Sequence, residues 1–543
     1  MKKSIVFTAF LCLGLGFAFS AAEKSPARRF SPEAQRNFTI IDYPHDYNLN
    51  PQTANFSNEA QLFTGLYEGL FSYDPYSLEP VPALAQSFRI SRDKKTWTFT
   101  LREDAVFSNG DKITAQTLRD SWTALLAPEM DAPFASLLDC ITGAEAYRKG
   151  EGTKDGLGIF VRDETTLVVT LTTPTEHLNR ILCHHAFSAV HPTEPLSVFS
   201  GPYVLKEYAR KEITPESGDG PERIVLEKNP KYYDADNVAL PTITLLFSED
   251  LADNAYQINV GKADWACSAN ADRLLDKYSV KVCPEFATEY FFFKADRFPW
   301  NNADFRLALL AAVPWDKLRS QAFERAKTFI YPLNGYKSPE GFSDSDITEA
   351  KALLAAAKRR AKMKESDPVK IVIAVSSGEY MKAQAEALVE GWEKIGITVE
   401  VQTTPPGRYM QSIESWQADL FTYTWIGDFA DPVAFLELFR GDSSLNVTAW
   451  KNRDFDGLLQ KASECTDSAE RLSILSQAEG VLLNSGAVLP VSHPISVNVI
   501  DTAAVGGWYM NALDIHPYKY LYFTGKTVTI PNIVRAAGHG GQL

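Results

Sequence analysis

A carboxylate set among aromatic residues is the most informative feature of the sequence. Asp428 follows the strand-like run 420–425 and precedes Phe429 and Pro432. A carboxylate in apolar surroundings needs a cation or several hydrogen-bond donors. Asp428 could therefore bind a positively charged ligand group. It could equally cap a helix beginning at Pro432, because Asp often starts helices. The segment alone leaves both interpretations open.

Other motifs give no support for catalysis, nucleotide binding or metal binding. Gly525-Lys526-Thr527 looks like the end of a phosphate-binding loop, but Tyr520 stands where that loop needs a glycine. The run from Cys183 to His185 contains metal-ligating residue types. Adjacent side chains of an extended segment point to opposite faces, so its two histidines are poorly placed to share one ion. The sequence shows no nucleophile with a matching base, so we expect no catalytic activity and no cofactor or metal.

The N-terminus and the composition indicate an exported globular protein. Residues 1–22 have a basic start, an apolar run from Ile5 to Phe19 and small residues at the end, as in a cleavable signal peptide. The apolar run is too short to span a membrane, and small residues do not precede Cys12 as they do a lipidated cysteine, so we expect no lipid anchor. The net charge of −14 argues against nucleic acid and anionic membranes as partners. Cys267 and Cys283 could form a disulfide, although buried free thiols are the commoner state.

Patterns in the first half predict a hairpin, a turn and a helix. Residues 84–101 alternate apolar and polar residues around a charged turn, which predicts a hairpin with one buried face: Trp97, Phe99 and Leu101. Asn109-Gly110 predicts a tight turn. Thr114 is placed to cap a helix with two apolar positions, Leu118 and Trp122.

The second half predicts an α/β unit. Strand 369–375, helix 380–394 and strand 397–401 follow one another with a short link at Gly396, which implies a right-handed parallel connection. Residues 456–484 read as helical, and residues 488–500 return as β structure.

These segments together resemble a known family. Residues 97–102, 107–111 and 113–122 are similar to the strand, turn and helix signature of the extracytoplasmic solute-binding proteins of peptide-type ABC transporters. Further similar segments follow in the family's order: 66–70, 163–171, 201–205, 226–233 and 305–309. Thr117-Leu118 and Pro314-Trp315 depart from the family pattern. The resemblance implies a monomeric protein that captures peptides and delivers them to an ABC transporter permease.

The same resemblance implies the fold and the domain organisation. We expect an α/β, two-lobed periplasmic binding protein of class II, cluster C type, with a ligand cleft between the lobes. Lobe I would consist of residues 23–60, 186–285 and 489–543, and lobe II of residues 286–488. An α+β subdomain inserted into lobe I would occupy residues 61–185.

The resemblance also assigns ligand-binding positions. The family motif matches this chain at Trp425, Asp428, the aromatic Phe429 and Pro432, which implies that Asp428 pairs with the α-amino group of a peptide. The remaining candidates are Gly427, Asn55, Phe56, Ser57, Phe134, Tyr290 and Arg408. Phe134 and Tyr290 could instead be core aromatics. Thr422 stands where peptide-carboxylate binders have an Arg, and Arg408 could replace it or be a surface charge.

Two kinds of alternative remain open. The same fold could hold a different solute, such as a metal chelate, haem or a sugar. A different class of protein, a secreted hydrolase or a surface adhesin, would need a catalytic pair or repeats, and neither is visible in the sequence.

Overall fold

The structure is a computed structural model that describes residues 36–525, apart from these gaps: 176, 211–220, 334, 406–408, 410–412, 414, 428, 430 and 466. The predicted signal peptide 1–22 and two predicted ligand-binding residues, Asp428 and Arg408, lie outside the described residues. Most strands belong to two large sheets and one smaller sheet.

The first sheet has seven strands drawn from distant parts of the chain. Their spatial order is Val280–Pro284, Ile495–Ile500, Trp265–Ala266, Phe38–Asp42, Thr242–Phe247, Pro221–Lys228 and Tyr203–Arg210. Phe38–Asp42 is parallel to both of its neighbours, and the other pairs are antiparallel. Apolar residues of this sheet, such as Tyr203 and Ile224, share a core with Leu62 and Phe63 of the helix Ser57–Leu66.

The second sheet has six strands and contains the predicted parallel unit. Their spatial order is Glu324–Arg325, Val488–His493, Ala287–Phe293, Leu420–Ile426, Val369–Ser376 and Ile397–Thr404. Val369–Ser376 pairs in parallel with Ile397–Thr404, and the helix Glu379–Glu393 connects them. The prediction of a strand, a helix and a strand is therefore confirmed. Gly396 has a φ of +84°, a left-handed backbone that suits glycine at the end of the helix.

The third sheet carries the predicted hairpin. Its four strands are, in order, Ala85–Ile90, Thr96–Leu101, Thr166–Thr170 and Ile159–Asp163. Trp97, Phe99 and Leu101 are all buried, as the alternation predicts. The Thr114 hydroxyl accepts from the Thr117 N–H at 3.3 Å and caps the following helix, Ala115–Leu125, so this prediction is also confirmed.

Two short antiparallel pairs and twelve α-helices complete the regular structure of the described residues. The pairs are Phe71–Tyr73 with Pro80–Pro82, and Val505–Gly506 with Tyr522–Phe523. The helices are Ser57–Leu66, Ala115–Leu125, Ala144–Arg148, Leu178–Ile181, Leu251–Asn259, Ala303–Ala311, Trp315–Leu318, Ile347–Arg360, Glu379–Glu393, Val433–Leu436, Arg453–Glu464 and Ser468–Asn484. The stretch predicted as helical over 456–484 is thus two helices, and Asp467 caps the second one by accepting from the Glu470 N–H at 2.8 Å.

The chain crosses between the two large sheets twice. The first crossing lies between the strands Val280–Pro284 and Ala287–Phe293, and the second lies at Pro494. The predicted end of lobe II, residue 488, is the first residue of the strand Val488–His493 in the second sheet. Pro494 separates this strand from the strand Ile495–Ile500 of the first sheet. The other predicted domain boundaries stay predictions.

Two further properties concern cysteines and membranes. The five described cysteines, Cys140, Cys183, Cys267, Cys283 and Cys465, are free thiols. Among residues 36–525, as far as they are described, none of the helices combines the length and the apolar character needed to cross a membrane.

Candidate functional site

A cavity of about 310 Å³ lies between the second sheet and segments from the first half of the chain and the C-terminal region. One wall comes from the first half of the chain and a C-terminal loop: Asn55, Phe56, Ser57, Ala60, Tyr73, Phe134, His184, His185, Leu513 and Ile515. The other wall comes from the second sheet and its neighbours: Glu289, Ser376, Met381, Tyr409, Thr422, Tyr423, Thr424, Trp425, Ile426 and Gly427. Enclosed, mostly apolar cavities with a few polar groups are typical of ligand sites.

The strand Leu420–Ile426 forms much of the second wall. It pairs antiparallel with Ala287–Phe293, so that Trp425 lies opposite Thr288. The Trp425 indole N–H donates to the Ala434 carbonyl oxygen at 2.8 Å, which fixes the orientation of the ring. The Trp425 ring lies 6.3 Å from that of Phe134, between centroids, and thereby joins the two walls.

At Gly427 the backbone of the second wall passes close to two phenylalanine rings. A Cβ atom added there would lie 2.5 Å from the Phe286 ring and 2.8 Å from the Phe435 ring. The Gly427 N–H donates to the Phe286 carbonyl oxygen at 2.8 Å. Only glycine fits between these two rings without moving one of them.

The segment Asn55–Ser57 is held by a buried carboxylate. The backbone N–H groups of Asn55 and Phe56 donate to Glu59 Oε2 at 3.0 and 3.1 Å. Glu59 Oε1 accepts from the Asn48 N–H at 2.7 Å and lies 3.1 Å from His45 Nε2. The N–H groups of Asn55 and Phe56 are therefore already bonded and are not available to a ligand.

The two histidines contribute an aromatic surface to the cavity. His184 caps a short turn, His185–Phe187, and the two imidazole centroids are 4.1 Å apart. The expectation that they point to opposite faces is wrong, because the segment is a turn and not an extended strand. His185 Nδ1 donates to the Pro51 carbonyl oxygen at 2.8 Å, and burial, followed by His184, lowers the pKa of His185 well below its usual value. The described residues contain no cluster of three or more His, Cys, Asp or Glu that could hold a metal ion.

Glu289 is a cavity residue that the sequence analysis missed. Its carboxylate accepts from the Tyr380 hydroxyl at 2.6 Å, the Ser492 hydroxyl at 2.6 Å and the Gln384 amide at 3.0 Å. The predicted residue Tyr290 is its neighbour in the strand, and successive side chains of a strand point to opposite faces. Tyr290 packs instead against Phe329 in the core, with ring centroids 4.8 Å apart, and does not line the cavity. A single acidic residue in an otherwise apolar strand is the signal that could have identified Glu289.

Seven other predicted ligand-binding residues are described by the structure. The structure places six on the cavity wall: Asn55, Phe56, Ser57, Phe134, Trp425 and Gly427. Phe429 is buried, does not line the cavity and stacks on His177 with ring centroids 5.8 Å apart. Two residues further along the chain, Asp431 Oδ1 accepts from the Val433 N–H at 3.0 Å, just before the helix Val433–Leu436. Burial alone would raise the pKa of Asp431, but the Arg471 guanidinium at 2.7 Å holds it below its usual value.

A second contact joins the same two parts of the molecule and is rich in charge. Asp139 Oδ2 lies 2.6 Å from both Arg148 Nη2 and Arg440 Nη2. Lys149 pairs with Asp442 across the same contact. We call these five residues the interlobe ion network. Close by, the Ser444 hydroxyl donates to the Pro133 carbonyl oxygen at 2.8 Å, so polar contacts extend beyond the charges.

Comparison with known proteins identifies the family. The family model "Bacterial extracellular solute-binding proteins, family 5 Middle" matches residues 79–446. The chain belongs to this family. The predicted family and the predicted two-lobed α/β fold are therefore confirmed, and family 5 is a family of binding proteins.

Individual relatives align along most of the family 5 chain. The dipeptide-binding protein DppE of Bacillus subtilis is 27% identical over 516 residues, which are 89% of this chain and 92% of the relative. The murein tripeptide binding protein MppA of Escherichia coli superposes with a TM-score of 0.79 at 24% identity, covering 90% of this chain and 98% of the other. Haemophilus influenzae OppA in complex with RPPGFSPFR gives a TM-score of 0.77 at 21% identity, covering 90% and 99%.

Proposed function

We propose that this family 5 protein captures peptides outside the cytoplasmic membrane and delivers them to an ABC transporter permease. The cavity between lobe I and the second sheet carries the proposal, because its walls come from both parts and combine aromatic rings with the end of a strand. The names of the relatives, dipeptide-binding and murein tripeptide binding proteins, support a peptide as the solute.

The chemistry of the walls suits an extended peptide. A peptide offers backbone donors and acceptors irrespective of its side chains, and a charged end can fix its register. Asp428 directly follows the cavity residue Gly427 in the sequence. We assign Asp428 to the peptide's α-amino group, where charge-assisted hydrogen bonds contribute about 1.5–3 kcal/mol each.

The ligand's other end has a less defined partner. Thr422 lies on the cavity wall, where its backbone N–H donates to the Tyr409 hydroxyl at 2.9 Å. A threonine cannot replace the bidentate charge of an arginine. We therefore propose that Arg408, adjacent to the cavity residue Tyr409 in the sequence, is the candidate for the peptide carboxylate.

The proposed function also requires that the protein is exported, and we propose that it is monomeric. Residues 1–22 would be removed as a signal peptide, leaving a monomeric binding protein without a lipid anchor or catalytic activity. Intact mass measurement of the exported protein tests the cleavage: a mass that starts near Ala21 or Glu23 supports it, and retention of the first 22 residues contradicts it.

Native mass spectrometry of the purified protein tests peptide capture. The expected result is a set of co-purifying peptides with free amino termini. A sample that contains only haem, a metal chelate or a sugar would contradict the proposal in favour of another solute. A thermal-shift screen provides a second readout, because a ligand at 100 times its dissociation constant stabilises the fold by about 2.7 kcal/mol.

A further inference from the structure

Glu289 is a buried carboxylate that faces the cavity without a cationic partner. Glu289 is only 5% exposed. Its three donors, Tyr380, Ser492 and Gln384, are all neutral. Over the part of the chain that the structure describes, no Lys, Arg or His nitrogen forms an ion pair with Glu289. A buried charge in this situation is costly until it receives a counter-charge.

Two other carboxylates of the described residues do have cations. Glu68 lies 3.0 Å from Lys519 Nζ, and Asp431 lies 2.7 Å from Arg471 Nη1. Glu479 resembles Glu289, since it accepts only from two backbone N–H groups and the Tyr336 hydroxyl. Glu479 does not line the cavity, so its carboxylate has no access to a ligand. Among the described residues, Glu289 therefore lacks a paired cation and also lines the cavity, where a ligand can reach it.

The carboxylate of Glu289 has capacity for one more donor. Two carboxylate oxygens provide about four lone-pair positions. Tyr380 and Ser492 use two on Oε2, and Gln384 uses one on Oε1. The remaining position on Oε1 could accept from a ligand ammonium or guanidinium group.

The wall around Glu289 suits the stem of a basic side chain. The second wall also contributes the apolar residues Met381, Trp425 and Ile426 and the uncharged hydroxyl residues Ser376, Thr422 and Thr424. None of the described residues that line the cavity is Lys or Arg. Lysine and arginine side chains bury their methylene stems on apolar surface and keep the charged end at a polar partner.

We propose that Glu289 binds a basic side chain of the captured peptide, so that the protein selects peptides containing Lys or Arg. This specificity rests on the proposed function of peptide capture. It is separate from the role of Asp428, which we assign to the peptide's α-amino group and not to a side chain.

Isothermal titration calorimetry with a matched set of six tripeptides tests this specificity. Three carry lysine at the first, second or third position of an otherwise alanine tripeptide, and three carry norleucine, which keeps the methylene stem and lacks the ammonium group. We expect lysine to bind at least tenfold more tightly than norleucine at one position, equivalent to about 1.4 kcal/mol. In Glu289→Gln the dissociation constants of the lysine and norleucine tripeptides should lie within about twofold of each other, because the charge-assisted hydrogen bond from the lysine ammonium group is lost.

Two features keep the result interpretable. Glutamine can accept from Gln384 and donate to the Tyr380 and Ser492 hydroxyl oxygens, so Glu289→Gln retains the local hydrogen bonds. Glu479→Gln changes a similarly buried carboxylate outside the cavity and should keep the lysine preference of the wild type.

The outcomes separate this specificity from peptide capture itself. Equal affinity for lysine and norleucine at all three positions in the wild type would overturn the role of Glu289 and leave peptide capture intact. A lysine preference that persists in Glu289→Gln would also overturn it. Failure of all six peptides to bind the wild type would count against the proposed function instead.

Discussion

The cavity and the interlobe ion network join the same two parts of the molecule but treat charge in opposite ways. In the network, Asp139 lies 2.6 Å from two arginine side chains. In the cavity, Glu289 accepts from three donors among the described residues, all neutral and at 2.6–3.0 Å. Charges are thus neutralised where the protein contacts itself, and one carboxylate is left without a cation where a ligand would contact it. The network stabilises the interlobe contact, and the cavity determines which ligand is bound.

The largest effect is expected from breaking the network. In Asp139→Asn the two guanidinium groups of Arg148 and Arg440 lose their shared counter-charge in a largely buried contact. Removing one partner of a buried ion pair costs about 3–5 kcal/mol. Arg440 keeps two further carboxylates, Glu437 at 3.2 Å and Asp442 at 3.0 Å. We therefore expect the free energy of unfolding from chemical denaturation to fall by about 3 kcal/mol, the lower end of that range.

An exposed ion pair provides the matched control. Lys112 and Glu164 lie 3.5 Å apart with side chains 68% and 76% exposed. Glu164→Gln should change the free energy of unfolding by about 0–1 kcal/mol, because exposed pairs contribute little. Equal losses in Asp139→Asn and Glu164→Gln would show that the network does not stabilise the contact.

A smaller loss of stability is expected from filling the cavity wall at Gly427. In Gly427→Ala the added methyl would overlap the Phe286 and Phe435 rings. Overpacking of this kind costs about 1–3 kcal/mol, measured as a lower midpoint of chemical denaturation. Gly457→Ala is the control, because a Cβ there meets no atom within 4 Å and lies within the helix Arg453–Glu464. It should stabilise by about 0.5–1 kcal/mol, and a similar loss in both variants would contradict the close approach at Gly427.

Asp428→Asn should weaken ligand binding with little effect on stability. Loss of the charge should lower the affinity for peptides with a free amino terminus at least tenfold, or about 1.4 kcal/mol. Calorimetry with a free and an N-acetylated form of one peptide measures this effect. The acetylated form should bind wild type and variant equally. Unchanged affinity for the free form would remove Asp428 from the site.

The smallest effect is a dependence of stability on pH at a carboxylate away from the cavity. Burial raises the pKa of Glu479 from 4.5 to about 7. The folded protein therefore keeps this proton at pH values where the unfolded chain has lost it, so the contribution to stability is full below pH 4.5 and is lost as the pH rises through 7. Glutamine imitates the protonated form and cannot ionise.

Thermal unfolding of wild type and Glu479→Gln between about pH 4.5 and 8 measures this contribution. The melting temperature of the wild type should fall relative to the variant as the pH rises. A constant difference across this range would mean that Glu479 titrates normally in the folded protein.

Local patterns predicted the elements whose residues satisfy one clear periodicity. The alternation around Trp97 and Phe99 predicted the hairpin, and the spacing of helix and strands around Gly396 predicted the parallel unit. The two helices within 453–484 were predicted as one helical stretch, because the break near Asp467 contains no glycine or proline. A cap formed by one side chain leaves a weaker pattern than a helix breaker does.

The site was predictable only in part, because its contacts join residues far apart in the sequence. Similarity to the family indicated six residues that the structure places on the cavity wall. It named Tyr290, which packs against Phe329, and did not name the neighbouring Glu289, which lines the cavity, because successive side chains of a strand point to opposite faces. The contact between Asp139 and Arg440 could not be predicted, since the pair is separated by 301 residues and no local pattern relates them.

The most direct test of the account is the ratio of dissociation constants for the norleucine and lysine tripeptides in wild type, Glu289→Gln and Asp139→Asn. The account predicts a ratio of at least ten, about 1.4 kcal/mol, in the wild type and in Asp139→Asn, because the network does not contact the ligand. It predicts a ratio near one in Glu289→Gln. Loss of the ratio in Asp139→Asn, or its survival in Glu289→Gln, would contradict the division between a contact that stabilises and a cavity that selects.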